Sequence, residues 1–168
     1  VYNSNGLDIK SLSEHKQKTG SVINFADAKN LETDILEQEV KILVLAALEN
    51  SVTLDNVEKL KTELIIELAN GPITPDADDV LFKKDVTVVP DILANAGGVG
   101  VSYLEQVQNS YNYYWKEEDV RGQLEEMMRK SFEQVWEQKE KNKTDVRMGA
   151  YALAVERVAQ SMRDRGWN

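Results

Sequence analysis

The sequence predicts an α/β domain with a parallel sheet, followed by a helical C-terminal third. Residues 40–48 (VKILVLAAL) and 63–68 (ELIIEL) form short, mostly apolar runs, which are typical of strands buried on both faces of a parallel sheet. Helical segments lie between and after these runs. Strands that alternate with helices normally form a parallel sheet with right-handed crossovers, so this class of fold is expected here.

The first part of the chain predicts short elements around these two strands. Residues 7–20 predict a helix that stops at Gly20, and residues 21–25 (SVINF) predict a weak, short strand. Between the two apolar runs, residues 53–61 predict one short helix with Thr53 as its N-cap. The expected order is therefore helix, strand, strand, helix, strand.

The next segments predict another helix, a third strand and then helices only. Residues 74–84 begin with Thr74 as N-cap, Pro75 at the first helical position and acidic residues in the first turn, a pattern that favours a helix start. Residues 86–91 (VTVVPD) predict a third buried strand. In the last third, mostly apolar residues step by three or four positions, at Val120, Leu124, Met127, Ser131 and Val135, and again at Tyr151, Val155, Val158 and Met162.

The composition limits which functions the chain can have. Its 168 residues amount to about one domain, and a formal net charge of −9 leaves no basic surface for nucleic acid or an anionic membrane. The absence of cysteine excludes thiol nucleophiles and thiolate metal sites, and one histidine is too few to turn the acidic clusters into a metal site. No apolar run approaches the roughly 18 residues of a membrane-spanning helix. We therefore expect no nucleic-acid, membrane or metal partner.

The least ordinary stretch is 90–109, PDILANAGGVGVSYLEQVQN. It leads through Asn95 and two adjacent glycines into a helix, although each glycine weakens a helix or strand interior by about 1 kcal/mol relative to alanine. A plain turn would explain the glycines, and so would a ligand that approaches the backbone closely. A complete dinucleotide-binding turn has the pattern G-x-G-x-x-G, whereas Gly98 and Gly100 supply only G-x-G.

This stretch resembles the signature of the glutamate dehydrogenases, which is close to P-D-x-x-x-N-A-G-G-V-x-V-S-Y-x-E. The resemblance covers essentially the whole chain, because further segments match the family in the family's order. These segments are YNSNGLD (2–8), ILVLAALEN (42–50), ELANGPITPDAD (67–78), NYYWKEEDV (112–120) and DVRMGAYALAVERVAQSMRDRGW (145–167).

The resemblance implies that residues 1–168 are part of an NAD(P)-binding domain, a partial Rossmann-like three-layer fold. Residues from about 1 to 95 would form its sheet portion, and residues from about 97 to 168 its helical portion. The first strand, the Gly-rich turn and the substrate-binding domain of the family would precede Val1, which suggests a truncated chain. The family's catalytic lysine and aspartate belong to that other domain, so we expect no catalytic residue in this chain and no activity from the chain alone.

Small and amide residues follow the strands, where ligands bind in folds of this type. They are Ala46 and Ala47 after the first run, Asn70 after the second and Asn95 after the third. The resemblance implies that Asn70 and Asn95 contact the nicotinamide ribose or carboxamide of NAD or NADP. It also implies that Ala46 and Ala47 line the cofactor groove. Asn70 precedes Gly-Pro and is equally a good turn former.

The resemblance assigns the substrate to Val99 and Ser102. Val99 would contact the methylene groups of glutamate and Ser102 its side-chain carboxylate, although Ser102 could also be a solvated helix residue. A serine favours an acidic substrate over the leucine, phenylalanine or valine of related enzymes. The implied reaction is the reversible oxidative deamination of L-glutamate to 2-oxoglutarate and ammonia, in the cytoplasm, by a homo-oligomer that is typically a hexamer. The alternative is a stand-alone, non-catalytic α/β ligand-binding or interaction module.

Two residues depart from the family pattern near the expected groove. Leu68 stands where glycine is expected, and Leu45 stands where proline is expected. Leu68 would add bulk beside the nicotinamide.

Overall fold

The computed structural model describes residues 1–167 and divides the chain into two compact units, Val1–Glu39 and a second unit from Val40 onward. In the first unit, α1 (Ile9–Thr19) begins at Asp8, whose carboxylate accepts hydrogen bonds from the Lys10 and Ser11 backbone N–H groups. It ends at Gly20, as predicted, in the left-handed conformation that glycine adopts most readily.

The strand predicted at residues 21–25 is wrong. These residues form bends and turns, and the chain continues to a short 3₁₀ helix at Ile35–Glu37. Phe25 is the buried residue of this segment, and its ring packs edge-on against His15, with 5.6 Å between the ring centroids. This segment is therefore anchored by the contact of Phe25 with α1 and not by pairing with another strand.

The second unit is built on a three-stranded parallel sheet, which confirms the predicted α/β class. The strands are β1 (Ile42–Leu45), β2 (Leu64–Glu67) and β3 (Thr87–Val89), in the spatial order β1-β2-β3. The register pairs Val44 with Ile66, and Ile66 with Val89. All three strands therefore end at the same edge of the sheet.

Burial on both faces was predicted for these strands and is wrong for β1. Leu43 and Leu45 are buried, whereas the side chains of Ile42 and Val44 are 55% and 48% exposed. The helices of this unit pack against β2 and β3, so one face of β1 meets solvent. A short apolar run does not reveal which of its two faces is covered.

The connections follow the prediction less closely than the strands do. Residues 53–61 contain only a 3₁₀ turn at Val57–Lys59, so the helix capped by Thr53 is wrong. The Asn56 side chain accepts a hydrogen bond from the Thr53 N–H and closes a turn there instead. The helix predicted at residues 74–84 is confirmed as α2 (Pro75–Lys83), with Thr74 at its N-cap position.

Four helices complete the unit: α3 (Asp91–Ala94), α4 (Ala96–Tyr111), α5 (Glu117–Asn142) and α6 (Val146–Asp164). Glycines set the distances between them. A Cβ atom on Gly100 would lie 3.3 Å from Met127 of α5, and a Cβ atom on Gly149 would lie 2.9 Å from the α5 backbone. The predicted apolar period of α6 is present, but Tyr151, Val155, Val158 and Met162 are exposed. A different face, with Val146 and Ala150, packs into the core.

Candidate functional site

The loops that follow β1 and β2 are joined to each other at the carboxyl edge of the sheet. The Leu45 carbonyl accepts hydrogen bonds of 2.9 Å from the N–H groups of Leu68 and Ala69, and Asn50 donates its N–H to the Gly71 carbonyl at 2.9 Å. Ala46 and Ala47 lie in the first of these loops and are exposed. They present only methyl groups, so a flat ligand could approach the backbone closely at this edge.

Asn70 and Asn95, predicted as a pair of cofactor contacts, lie in hydrogen-bond contact. The Asn95 side chain donates to Asn70 Oδ1 at 2.7 Å and to the Leu68 carbonyl at 3.3 Å. Within residues 1–167, Asn95 Oδ1 and Asn70 Nδ2 have no protein partner. The pair therefore presents one free acceptor and one free amide donor, the complement of a carboxamide or of ribose hydroxyls.

A carboxylate at the start of α3 holds the turn that carries Asn70. Gly71 lies in the left-handed region at φ +53°, and its N–H donates to Asp91 Oδ2 at 2.8 Å. The Asp91 N–H in turn donates to Glu67 Oε2 at 2.8 Å. The last residue of β2 and the first residue of α3 are therefore joined directly.

Arg147, in the first turn of α6, makes the strongest ionic contacts at this edge. Its two terminal nitrogens donate to the two carboxylate oxygens of Glu67 at 2.9 and 2.8 Å, and its Nε donates to Asp78 Oδ2 at 2.6 Å. Asp91 Oδ1 lies 3.7 Å from the same guanidinium. Glu67 is 0% exposed, so Arg147 supplies the opposite charge that a buried carboxylate requires.

The local environment acts on the ionisation of Arg147 in two opposing ways. Burial lowers the pKa of its guanidinium, but the hydrogen bonds with Glu67 and Asp78 outweigh burial and raise the pKa above its ordinary value. Among residues 1–167, every buried side-chain nitrogen and oxygen has a hydrogen-bond partner. The cluster is therefore a fully paired network around a guanidinium that stays protonated.

A cleft of about 500 Å³ opens between α4 and α5. Asn95 and Val99 both line it, and the Val99 side chain is 75% exposed. Ser102 is also exposed on α4, where it lines a separate shallow cavity with Glu105 and Gln106. The structure therefore brings Asn95 and Val99 to one cleft but does not bring Val99 and Ser102 together in one cavity.

The two departures from the family pattern lie in different environments. Leu45 is buried in the core with 4% exposure, whereas Leu68 is exposed next to Asn95 and holds the Asn95 amide through its backbone carbonyl. Within residues 1–167, no group of three His, Cys, Asp or Glu side chains could hold a metal ion. The helices of the same residues include none with the length and apolarity needed to cross a membrane.

Glu67, Asp91 and Arg147 were not singled out from the sequence. The available signals were a glutamate inside an apolar run, LIIEL, and an arginine two residues after the N-cap residue Asp145. Neither signal identifies its partner, because Glu67 and Arg147 are 80 residues apart in sequence.

The chain is similar to known proteins over nearly its whole length. The model of the Glutamate/Leucine/Phenylalanine/Valine dehydrogenase family matches residues 1–166. The NAD-specific glutamate dehydrogenase of Clostridioides difficile is 44% identical over 168 residues, and the glutamate dehydrogenase of Thermotoga maritima is 43% identical over 167. Each alignment covers 99% of this chain and 40% of the relative. The chain therefore spans about two fifths of the length of these relatives.

Solved structures of glutamate dehydrogenases are also similar to this chain over part of their length. Glutamate dehydrogenase from Peptoniphilus asaccharolyticus superposes with a TM-score of 0.84 at 35% identity, covering 100% of this chain and 38% of that one. The hetero-hexameric glutamate dehydrogenase from Thermus thermophilus, in its Leu-bound form, gives 0.88 at 33% identity, covering 98% and 39%. A family match over nearly the whole chain, joined to the same fold, shows that this chain belongs to the Glutamate/Leucine/Phenylalanine/Valine dehydrogenase family.

Proposed function

We propose that residues 1–168 form the cofactor-binding part of an NAD(P)-dependent glutamate dehydrogenase. The observation that carries the proposal is the Asn70–Asn95 pair, which offers one free donor and one free acceptor at the carboxyl edge of a parallel sheet. NAD is the favoured cofactor, because the relative from Clostridioides difficile is named NAD-specific.

The residues of this edge suit the nicotinamide half of such a cofactor. In the proposed reaction the bound cofactor exchanges a hydride with the α-carbon of the substrate. Asn70 Nδ2 donates to the carboxamide oxygen or a ribose hydroxyl, and Asn95 Oδ1 accepts from the carboxamide amine or a second hydroxyl. Ala46 and Ala47 leave room for the planar ring. The Asn95–Asn70 hydrogen bond fixes both amides before binding, which reduces the ordering that binding requires.

The substrate is proposed to be L-glutamate, converted reversibly to 2-oxoglutarate and ammonia. Val99 provides an exposed apolar surface for the methylene groups, and Ser102 provides a hydroxyl that donates to the side-chain carboxylate. Leucine, phenylalanine and valine have no side-chain carboxylate, so the Ser102 hydroxyl would have no such group to bind in them. The names of the relatives from Clostridioides difficile and Thermotoga maritima support glutamate.

The rest of the enzyme is proposed to lie outside this chain. The relatives are about two and a half times as long, and a second domain would supply the catalytic lysine and aspartate and one wall of the substrate cleft. We propose that the full-length protein is a homo-oligomer located in the cytoplasm. The solved relative from Thermus thermophilus is described as hetero-hexameric, which supports an assembly of six subunits but not their identity.

Replacing Asn95 with alanine in the full-length enzyme tests the proposal. Removing a polar partner from a half-buried site costs about 1–3 kcal/mol, which corresponds to roughly 5- to 150-fold weaker cofactor binding. The affinity for NAD is measured by fluorescence titration. Asn142→Ala is the matched control, because Asn142 is an exposed asparagine at the end of α5 whose side chain donates to Gln138 of the same helix.

The outcome separates the proposal from the stand-alone module. If Asn95→Ala and Asn142→Ala both bind NAD as the wild type does, Asn95 only forms a turn and the proposed cofactor site is wrong. Weaker NAD binding in Asn95→Ala alone supports a dehydrogenase site.

A further inference from the structure

Arg147 lies at the first turn of α6 but makes its contacts with three other elements. These contacts are Glu67 at the end of β2, Asp78 in α2 and Asp91 at the start of α3. We infer that Arg147 is a positioning residue that sets the geometry of the Asn70–Asn95 pair, and thereby the affinity for the cofactor. The inference rests on the proposed function.

The first step of the connection runs through Glu67. Its Oε2 atom accepts one hydrogen bond from Arg147 and one from the Asp91 N–H, at 2.9 and 2.8 Å. The carboxylate is fully buried, so these bonds are shielded from water and directional. A change in the Arg147 contact would therefore move the Glu67 carboxylate and the start of α3 with it.

The second step runs through Asp91 to both asparagines. Its Oδ2 atom accepts from the Gly71 N–H at 2.8 Å and so fixes the turn that carries Asn70. Its Oδ1 atom accepts from the Ile92 N–H at 2.7 Å and so fixes the start of α3, the four-residue helix that ends next to Asn95. Both members of the pair therefore depend on the position of one residue.

Arginine is suited to this arrangement and lysine is not. The planar guanidinium binds both oxygens of Glu67 with one edge and Asp78 with its Nε side, whereas an ammonium group is a single compact charge. Asp78 contacts the guanidinium but neither Asp91 nor the asparagines. The two carboxylates therefore differ in whether they are connected to the pair.

This difference supplies the test, in the full-length enzyme. The variants are Arg147→Lys, Asp78→Asn, Asn95→Ala and the double variant Arg147→Lys/Asn95→Ala. For each, NAD affinity is measured by titration and thermal stability by circular dichroism. Asp78→Asn is the matched control, since it removes the charge of a second carboxylate on the guanidinium while Arg147 keeps both hydrogen bonds to Glu67, and Glu67 keeps its hydrogen bond from Asp91.

We expect Arg147→Lys to weaken NAD binding on the order of tenfold, as is found for residues coupled in one network. In the Asn95→Ala background the same change should weaken binding less than about twofold, because the residue through which it acts is gone. Asp78→Asn should lower the melting temperature and leave NAD affinity within about twofold of the wild type.

The inference is overturned if Arg147→Lys leaves NAD affinity unchanged while Asn95→Ala lowers it. It is also overturned if the fold-changes in NAD affinity of Arg147→Lys and Asn95→Ala multiply in the double variant. The same holds if Asp78→Asn lowers NAD affinity in step with stability. In either case Arg147 would serve the fold alone. If Arg147→Lys does not fold, Glu67→Gln tests the same connection with the same expected coupling to Asn95. If the wild type binds NAD and Asn95→Ala binds it equally well, both the proposed cofactor site and this inference are wrong.

Discussion

Replacing Gly149 with alanine should destabilise the protein, although the same change in a helix interior usually stabilises. Alanine is preferred over glycine in helices by about 1 kcal/mol. At Gly149, however, a Cβ atom would lie 2.9 Å from the Lys139 N atom and 2.9 Å from the Val135 carbonyl oxygen, both in the backbone of α5. Backbone atoms cannot rotate away as a flexible side chain can, so α6 would have to move off α5.

The size of the effect follows from these two opposing contributions. Overpacking of a well-packed contact costs about 1–3 kcal/mol, and contact with a rigid backbone places Gly149 in the upper part of that range. Subtracting the gain in helix propensity leaves a net loss of about 1–2 kcal/mol in the free energy of unfolding. For a chain of this size, each 1 kcal/mol lowers the melting temperature by roughly 2–4 °C.

Urea denaturation followed by circular dichroism measures this loss. Gly122→Ala is the matched control, because Gly122 is an exposed glycine of α5, and within residues 1–167 an added Cβ would meet nothing within 4 Å beyond its own turn of the helix. It should stabilise by about 0.5–1 kcal/mol. If Gly149→Ala is as stable as the wild type, or if both variants shift stability in the same direction, the close crossing of α5 and α6 does not exist as described.

Two further changes test the substrate and the first unit. Ser102→Ala in the full-length enzyme should lower kcat/KM for glutamate by about 10- to 150-fold. It should hardly affect kcat/KM for norvaline, which has no side-chain carboxylate. Equal losses for both substrates would leave Ser102 a supporting residue of α4. In the first unit, the Ser11 backbone N–H holds the pKa of the Asp8 carboxylate below its ordinary value of 3.8. The cap that Asp8 provides therefore stabilises α1 above pH 3.8, and this stabilisation is lost as the pH falls through the lowered pKa. Nuclear magnetic resonance should show α1 fraying over that acidic range, and Asp8→Asn should remove the pH dependence of the fraying; an unchanged pH dependence in Asp8→Asn would assign it to other groups.

The sequence predicted the elements that depend on local pattern. The strands within 40–48, 63–68 and 86–91 form, and α2 starts at Pro75 as its capping residue and acidic first turn indicate. The errors lie where the structure depends on side-chain contacts or on packing between elements. Residues 53–61 carry a helical pattern, but the side chain of Asn56 closes a turn that shortens the helix to 3₁₀ geometry. The solvent-facing side of β1 depends on which elements pack there, and a continuous apolar run contains no information on that.

The candidate site was predictable in part for the same reason. Parallel strands end at one edge, so the proximity of Asn70 and Asn95 follows from the order of the elements, and the structure brings them to 2.7 Å. The network that holds them was not predictable, because a glutamate in an apolar run looks the same whether it faces solvent or an arginine. Only the docking of α6 decides which of these holds for Glu67.

The contact between Glu67 and Arg147 also constrains the order of folding. A buried carboxylate at the end of the central strand cannot lose its water before its cation arrives, and that cation lies 80 residues later in the chain. At ordinary rates of synthesis, Arg147 leaves the ribosome roughly 4 to 16 s after Glu67. Throughout that interval β2 can pair with β1 but must remain hydrated at its last residue. The sheet and α6 should therefore become native in a single late step, which makes the second unit slow to fold and its final docking strongly cooperative.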